Sequence, residues 1–477
     1  MIKPNFERAS PKVLINIGAL LDIPTGTYVK GSNGESVLLG GLAILTGVYG
    51  RGNHFKSTIL HYMMLSAANR LSSTVETSMS TYDTELNANE NRLTKLASNM
   101  EYLKDKELFR DGHWILSDVN NYYGEKWFEI LKDFLKEKVE NRKDSECITP
   151  FLTRDGKTPL TTLIPTFSEI DSLSEFITSD VVKMQDENEI GDSGGNTMHM
   201  RAGLAKTRLM MEASVISGAY NHYMLFSAQL GQDISMPSGP FTQPTPKKLQ
   251  HMKQGEKVKG VSDKFFTSLN NSWETVSSTL MLTKDKTPEY PKDSFDNTNP
   301  STDLNLVKIK QVRGKSGMSG YTLDLVVSQS EGVLPSLTEF HFIKDKGERF
   351  GLTGSVQNYS LDLYPDVKLS RTTIRSKIDN DPKLRRALNI TSELCQMYQY
   401  YRELKDILML PKDIYESLKQ QGYDWDMLLS STRGWWAPND KKHPLKFLST
   451  MDIILAARDK KLPYWMNEDK SIKNEYK

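Results

Sequence analysis

Cysteine is nearly absent from this chain. Cys147 and Cys395 are the only two, far apart and without metal-ligand spacing. That excludes a disulfide framework and a cysteine-based metal centre, and it fits a reducing compartment. The expected location is therefore cytoplasmic. Long apolar runs are also missing. None reaches the roughly 18 residues that a membrane span needs, so no membrane partner is expected. The opening residues, MIKPNFERAS, lack the pattern of a signal peptide. Charge of one sign is missing too. Sixty-one Lys and Arg stand against 60 Asp and Glu, a net charge of +1. Any nucleic-acid surface must then be a local patch rather than a property of the whole chain. There is no internal repeat. The 477 residues, 38% hydrophobic and 25% charged, suffice for one large globular core and a smaller domain.

The chemistry starts between Leu45 and Ile59. An apolar run from Leu38 to Val48 reads as a buried strand, a glycine-rich turn follows, and Lys56-Ser57-Thr58 opens a helical run to Leu71. Strand, glycine turn, Lys-Ser and helix form the layout of a phosphate-binding P-loop. Gly50-Arg51-Gly52-Asn53-His54-Phe55 would turn backbone N–H groups toward phosphate oxygens, which requires that Cβ atoms stay clear. Lys56 would reach the terminal phosphates, Ser57 would hold Mg2+, and the helix N-terminus would add a favourable dipole. The second glycine of the usual G-x-x-x-x-G-K-[ST] pattern is replaced by Phe55. The alternative is a plain glycine-rich hairpin before a helix.

The rest of the chain supplies parts in a definite order. Lys12 to Leu21 suggests a small helix within an N-terminal lead of residues 1–36. Ser73 to Asp83 reads as a second strand, ending beside Glu85. That residue could orient a water against a γ-phosphate, or else Asp83 or Glu85 simply caps a helix near Ala88. Residues Leu86 to Arg142 look mostly helical, and Ser145 to Pro159 looks like a polar break. Apolar residues from Leu160 lead to Asp171, a strand ending in an acid that could hold Mg2+ through water, although Pro165 is awkward inside a strand. Lys183 to Asn196 is a polar loop, acidic at Asp186, Glu187, Glu189 and Asp192. A long helix covers Arg201 to Ala219. Tyr223 to Ala228 is a buried strand ending at Gln229, which could sense a γ-phosphate or be a solvated turn residue. Between Ser235 and Val261 lies a long proline-rich loop carrying Lys247, Lys248, Lys253, Lys257 and Lys259, with Phe241 and His251 among them. Such a loop could follow a phosphate backbone or be a solvated excursion. Strands follow at Phe265 to Thr283 and Leu304 to Val312, the latter paired with Tyr321 to Ser328. Lys308, Lys310 and Arg313 on this hairpin could reach a nucleotide held by a neighbouring subunit; the bland reading is a basic surface hairpin. Beyond Pro365 the composition turns helical, and Trp425, Trp435 and Trp436 are expected in a core.

The order of these parts resembles the RecA-like core ATPases, and Gly50…Phe55-Lys56-Ser57 with Gly40-Gly41-Leu42 upstream looks most like the phage UvsX-type strand-exchange recombinases. The resemblance covers roughly residues 20–345. It implies an α/β fold: a RecA-like core over 37–365 with a mostly parallel twisted sheet flanked by helices, then a small α-helical domain over 366–477. It implies ATP and Mg2+ as cofactors. Gly50 through Thr58 would bind the nucleotide, with Lys56, Glu85 and Gln229 catalytic. Ser57 and, through water, Asp171 would hold the metal. Lys308, Lys310 and Arg313 would act across a subunit interface, and the two loops would contact DNA. The implied activity is DNA-dependent ATP hydrolysis driving pairing and strand exchange on single-stranded DNA. Implied partners are single-stranded DNA, further copies of the chain in a filament or ring, and other replication or recombination proteins, in the cytoplasm of a bacterial host if the chain is phage-encoded. A DnaB-like hexameric helicase resembles the same core, with Lys310-Gln311-Val312-Arg313-Gly314 as its basic hairpin; the short lead before the core counts against it. A RecA-like paralogue that binds without turnover is the remaining alternative.

Overall fold

The computed structural model describes residues 13–187, 195–232, 247–261, 265, 268–315, 317–355, 357–440 and 444–477. The sheet is built first by apolar runs that are covered on both faces. Strands β1 (Thr27–Lys30) and β2 (Ser36–Leu39) form a small antiparallel ribbon. The main sheet uses β3 (Leu45–Gly50), β4 (Met79–Asp83), β5 (Trp114–Asp118), β8 (Thr166–Asp171), β9 (His222–Gln232) and β11 (Asn271–Leu280). These six run parallel in the order β11-β3-β9-β8-β4-β5. Beyond β11 the sheet continues antiparallel through β12 (Leu304–Gly314), β13 (Thr322–Ser328) and β14 (Gly332–Val333). A three-residue strand, β10 (Glu256–Val258), extends the end of β9 as an antiparallel ribbon. The fold is thus α/β, with a large, mostly parallel mixed sheet flanked by helices.

Both faces of the sheet are buried, which explains why its central strands read as near-continuous apolar runs. On β9, Tyr223 and Leu225 belong to one core, while Met224, Phe226 and Ala228 belong to the other. The first core lies under α1 (Lys56–Leu71), a helix buried along most of its circumference, with twelve of its 16 residues out of solvent. The second lies under α3 (Gly124–Glu140) and α6 (Gly195–Tyr220). Asn89 caps α2 (Glu90–Ala97) by accepting from the Arg92 amide at 2.9 Å. Asp186, expected in a loop, ends the short helix α5 (Ser179–Asp186); residues 188–194, including the acidic Asp192, and residues 235–246 of the lysine-rich loop lie outside the described residues.

Several sequence expectations change here. Residues 13–21 are not helical. Ile15 bridges Leu42, and Ala19 and Leu20 take positive φ angles of 50° and 69°, because the Asp22 carboxylate accepts from the amides of Ile17 and Gly18. The stretch after Ser145 is not a polar break. It carries a hairpin, β6 (Glu146–Leu152) and β7 (Pro159–Leu163), in which Cys147, Thr149 and Phe151 alternate inward. Pro165 falls between β7 and β8, so it costs no ladder bond. The region expected to be mostly helical before α3 contains β5, an edge strand.

C-terminal to the sheet come α7 (Pro335–Lys344), α8 (Ile374–Asn380), α9 (Pro382–Tyr400), α10 (Pro411–Gln420), α11 (Trp425–Ser431) and α12 (Thr450–Asp459). Their apolar residues belong to the same continuous core as α1. This region also holds residues 14–20: Gln396 Nε2 donates to the Leu20 carbonyl at 2.9 Å, and Trp436 Nε1, after α11, to the Leu14 carbonyl at 2.8 Å. Trp425 and Trp436 are buried, as expected of core aromatics, whereas Trp435 is half-buried. Among the described residues no helix is long and apolar enough to cross a membrane.

Candidate nucleotide-binding site

In parallel sheets the carboxyl ends of neighbouring strands share one edge, and ligands gather there. Register fixes that edge in this chain. Gly50 on β3 pairs with Gln229 on β9, and Asp83 on β4 pairs with Asp171 on β8. The expected glycine turn, sensor and strand-end acid therefore emerge side by side from adjacent strands.

Between β3 and α1 the chain turns through residues 51–55. Asn53 and Phe55 both have φ of 58°. Phe55 thus adopts the left-handed conformation that the missing glycine would have taken without strain, at a cost on the order of 1 kcal/mol. Its ring recovers part of this by packing on the core beside α1. Gly50 is needed for a different reason. A Cβ there would collide with the Thr275 hydroxyl on β11. Gly50→Ala is expected to destabilise the fold by about 1–3 kcal/mol, and adding Thr275→Ala should restore part of the loss in a urea titration. No recovery in the double variant would mean that the Thr275 carbonyl, 2.9 Å from the added Cβ, is what excludes it. The α1 N-terminus carries no acidic side chain in its first turn, which leaves its dipole free for an anion.

The side chains of the site converge. Ser57 Oγ donates to Asp171 Oδ1 at 3.0 Å, and Ser227 Oγ donates to the same oxygen. Asp171 is followed by a cis peptide to Ser172, and Thr84 Oγ1 accepts from the Ser172 amide at 2.7 Å. Gln229 Nε2 donates to Glu85 Oε1 at 3.2 Å, while the Gln229 amide donates to Ser174 Oγ at 2.9 Å. Lys56 Nζ donates to the Arg51 carbonyl at 2.9 Å. Partial burial pulls the Lys56 ammonium below its usual range, and Glu85 and Asp171 act against that shift. His54 reaches the Thr275 carbonyl through Nδ1 at 3.2 Å.

Asp83 takes the structural share of its turn. It is buried, and its carboxylate accepts from the amides of Glu85 at 2.9 Å and Ala88 at 2.6 Å. This leaves Glu85 exposed at the strand end. Sequence reasoning missed Ser227, Ser174 and Thr84. The only signal for Ser227 was a hydroxyl inside an otherwise apolar strand, two residues before Gln229. It also missed a buried pair behind the site, His61 on α1 and Glu169 on β8, at 2.7 Å.

The basic residues are more dispersed. Lys259 lies just after β10, and its amide donates to the Gln229 carbonyl at 2.8 Å. Its charge is felt at Lys56. Lys247 and Lys253 are exposed, and Lys248 and Lys257 are half-buried. On β12, Lys310 pairs with Glu274 and Lys308 with Ser277, toward the edge where β3 ends. Arg313 lies farther down, opposite Ser272, which itself pairs with Gly47. β12 is an interior strand rather than an edge strand, because β13 and β14 pair outside it. Lys310 Nζ donates to this chain's own His251 carbonyl. No protein-family model matches the chain, and no curated protein matches it.

Proposed function

We propose that this protein is a RecA-like, DNA-dependent ATPase that assembles on single-stranded DNA and promotes pairing and strand exchange. The observation carrying the ATPase reading is the convergence of Lys56, Ser57, Glu85, Asp171 and Gln229 at one edge of adjacent parallel strands. A large, mostly parallel sheet flanked by helices is compatible with such a core.

The residues suit a magnesium–nucleotide pair, since a hydroxyl and a carboxylate already meet at 3.0 Å where a hard cation needs oxygen ligands. Mg2+ supplies charge neutralisation on the phosphates. Ser57 would ligate it directly, and Asp171 would hold its water shell. Asn53, His54 and Phe55 present backbone at the start of α1, where the helix dipole favours phosphate. Lys56 would exchange the Arg51 carbonyl for phosphate oxygens. Glu85 would orient the attacking water and accept its proton. Gln229, hydrogen-bonded to Glu85, would register whether a γ-phosphate is present, and the strand that carries it leads straight into the lysine-rich loop. The described end of that loop returns beside Gln229 through Lys259, which supports coupling between nucleotide state and a DNA-contacting segment.

Electron microscopy with a slowly hydrolysed ATP analogue tests the assembly. Helical filaments that need single-stranded DNA are the expected result. Closed rings that unwind forked duplexes would replace this reading with the helicase, and dispersed particles under all conditions would remove DNA assembly from it.

A further inference from the structure

A second cleft lies on another face of α1, and none of the five convergent residues above lines it. It has a volume of about 880 Å3 and is bounded by α1, the segment around residue 100, and the C-terminal helices. That is within the range of small-molecule sites. Its wall concentrates guanidinium groups. Arg433 lies over the rings of Tyr102 and Trp435, at 5.0 and 5.1 Å, and Arg70 also lies over Trp435, at 5.5 Å. Arg386 is clamped in place, donating to Asn389 Oδ1 at 2.7 Å and to the Leu448 carbonyl at 2.6 Å.

These arginines are not equally free. Arg386 spends both Nη atoms, and its unpaired Nε is buried out of reach of the cleft, as is Arg433 Nη1, so the rest of the Arg433 head group is what the cleft can use. Acids cancel only part of the charge, with Glu393 acting on Arg386. Arg70 has Asp22 at 3.1 Å, but burial raises the Glu339 carboxyl in the same wall to about 8, so it is mostly neutral at pH 7. Arg375, on another rim, is already spent on Asp303 and Glu331. What remains is the Arg433 guanidinium, held over two aromatic rings, beside a space much larger than an inorganic ion. Forked guanidinium donors match phosphate oxygens better than any other common side chain.

We propose that this cleft binds an organic phosphate of nucleotide size, with Arg433 as its phosphate ligand. The phosphoryl group could belong to a nucleotide or to a free polyphosphate. The site does not depend on the nucleotide reading of the sheet edge. It does touch α1 through Thr58, Tyr62, Ser66 and Arg70, and Thr58 directly follows Ser57, so occupancy would bear on the helix that begins at Lys56.

Calorimetry on the full-length Lys56→Ala variant, with pyrophosphate and ADP as separate probes, isolates this cleft from the sheet-edge site. One equivalent of pyrophosphate or ADP should still bind. Adding Arg433→Gln should weaken that binding about tenfold or more, and Arg433→Lys should weaken it by less, since the charge stays while the fork is lost. Preference for ADP assigns the nucleotide as the source, and equal or tighter pyrophosphate binding assigns the free polyphosphate. If neither probe binds the Lys56→Ala protein, or if both Arg433 variants bind unchanged while melting like their parent, the proposal is overturned. Should Arg433→Gln fail to fold, the Arg433→Lys measurement decides alone.

Discussion

Glu85→Gln is expected to lower steady-state ATP hydrolysis by about a hundredfold to ten-thousandfold, the share a positioned general base contributes. Nucleotide affinity should stay within about threefold, because the exchange removes charge and basicity while keeping shape. The geometry makes this a clean test. The backbone of residue 85 is held by Asp83, through bonds to the amides of residues 85 and 88, so the turn does not rely on the Glu85 carboxylate. A glutamine oxygen can still accept from Gln229 Nε2. A variant that folds, binds and fails to turn over identifies the carboxylate as the base. Turnover equal to that of the unaltered protein would remove Glu85 from the mechanism. An unaltered protein that binds ATP but never hydrolyses it would favour the non-hydrolysing paralogue.

The site was legible in the sequence wherever chemistry demands a residue type at a fixed place on a strand or helix. Lys56 and Ser57 had to follow a buried strand and open a helix, and they do. Asp171 had to end a buried strand and does, while β9 runs on past Gln229 to Gln232, paired there with β10; the register still puts the two beside Asp83 and Gly50. Phe55 broke the motif, yet its φ of 58° lies in the left-handed region that a glycine takes without strain. What could not be read was tertiary. VLINIGALL has the composition of a helix, yet Asp22 captures its amides and the C-terminal helices cover it. The β6–β7 hairpin hid because Pro150 interrupts its alternation in the sequence, while in the fold Cys147, Thr149 and Phe151 still point inward. Whether β12 was an edge depended on how far the sheet continued, which periodicity within one strand cannot reveal.

Replacing His61 with leucine should cost about 3–5 kcal/mol of stability, because one member of a buried charged pair is left alone. Glu169 is fully buried. One of its oxygens accepts from Thr81 Oγ1 at 2.6 Å and faces His61 Nδ1 at 2.7 Å, and the other has no partner. Thr81 is in turn fixed by a bond from Trp114 Nε1 at 2.9 Å. Among the described residues no other cation forms an ion pair with Glu169 once the imidazole is gone. Replacing both residues by leucine should recover most of the loss, since an apolar pair of similar size needs no desolvation. Burial by itself would lower the His61 pKa, but the charge of Glu169 and its hydrogen bond outweigh burial and hold it above the usual histidine value. The sign of the pH effect follows. The folded protein binds a proton that the unfolded chain releases near pH 6.5, so the contribution is complete below about pH 6.5. It is lost as pH rises through the higher folded value. The single variant should therefore lose this pH dependence along with its stability, which urea midpoints at pH 6 and pH 9 would show. A cost under about 1 kcal/mol would mean that the pair carries no charge. Because His61 sits on α1 four residues after Ser57 and Glu169 lies two residues before Asp171, the same pair joins the helix and the strand whose Ser57 and Asp171 meet in the candidate site. Hydrolysis in His61→Leu should fall even where the protein remains folded, and the double leucine variant should regain stability before it regains turnover.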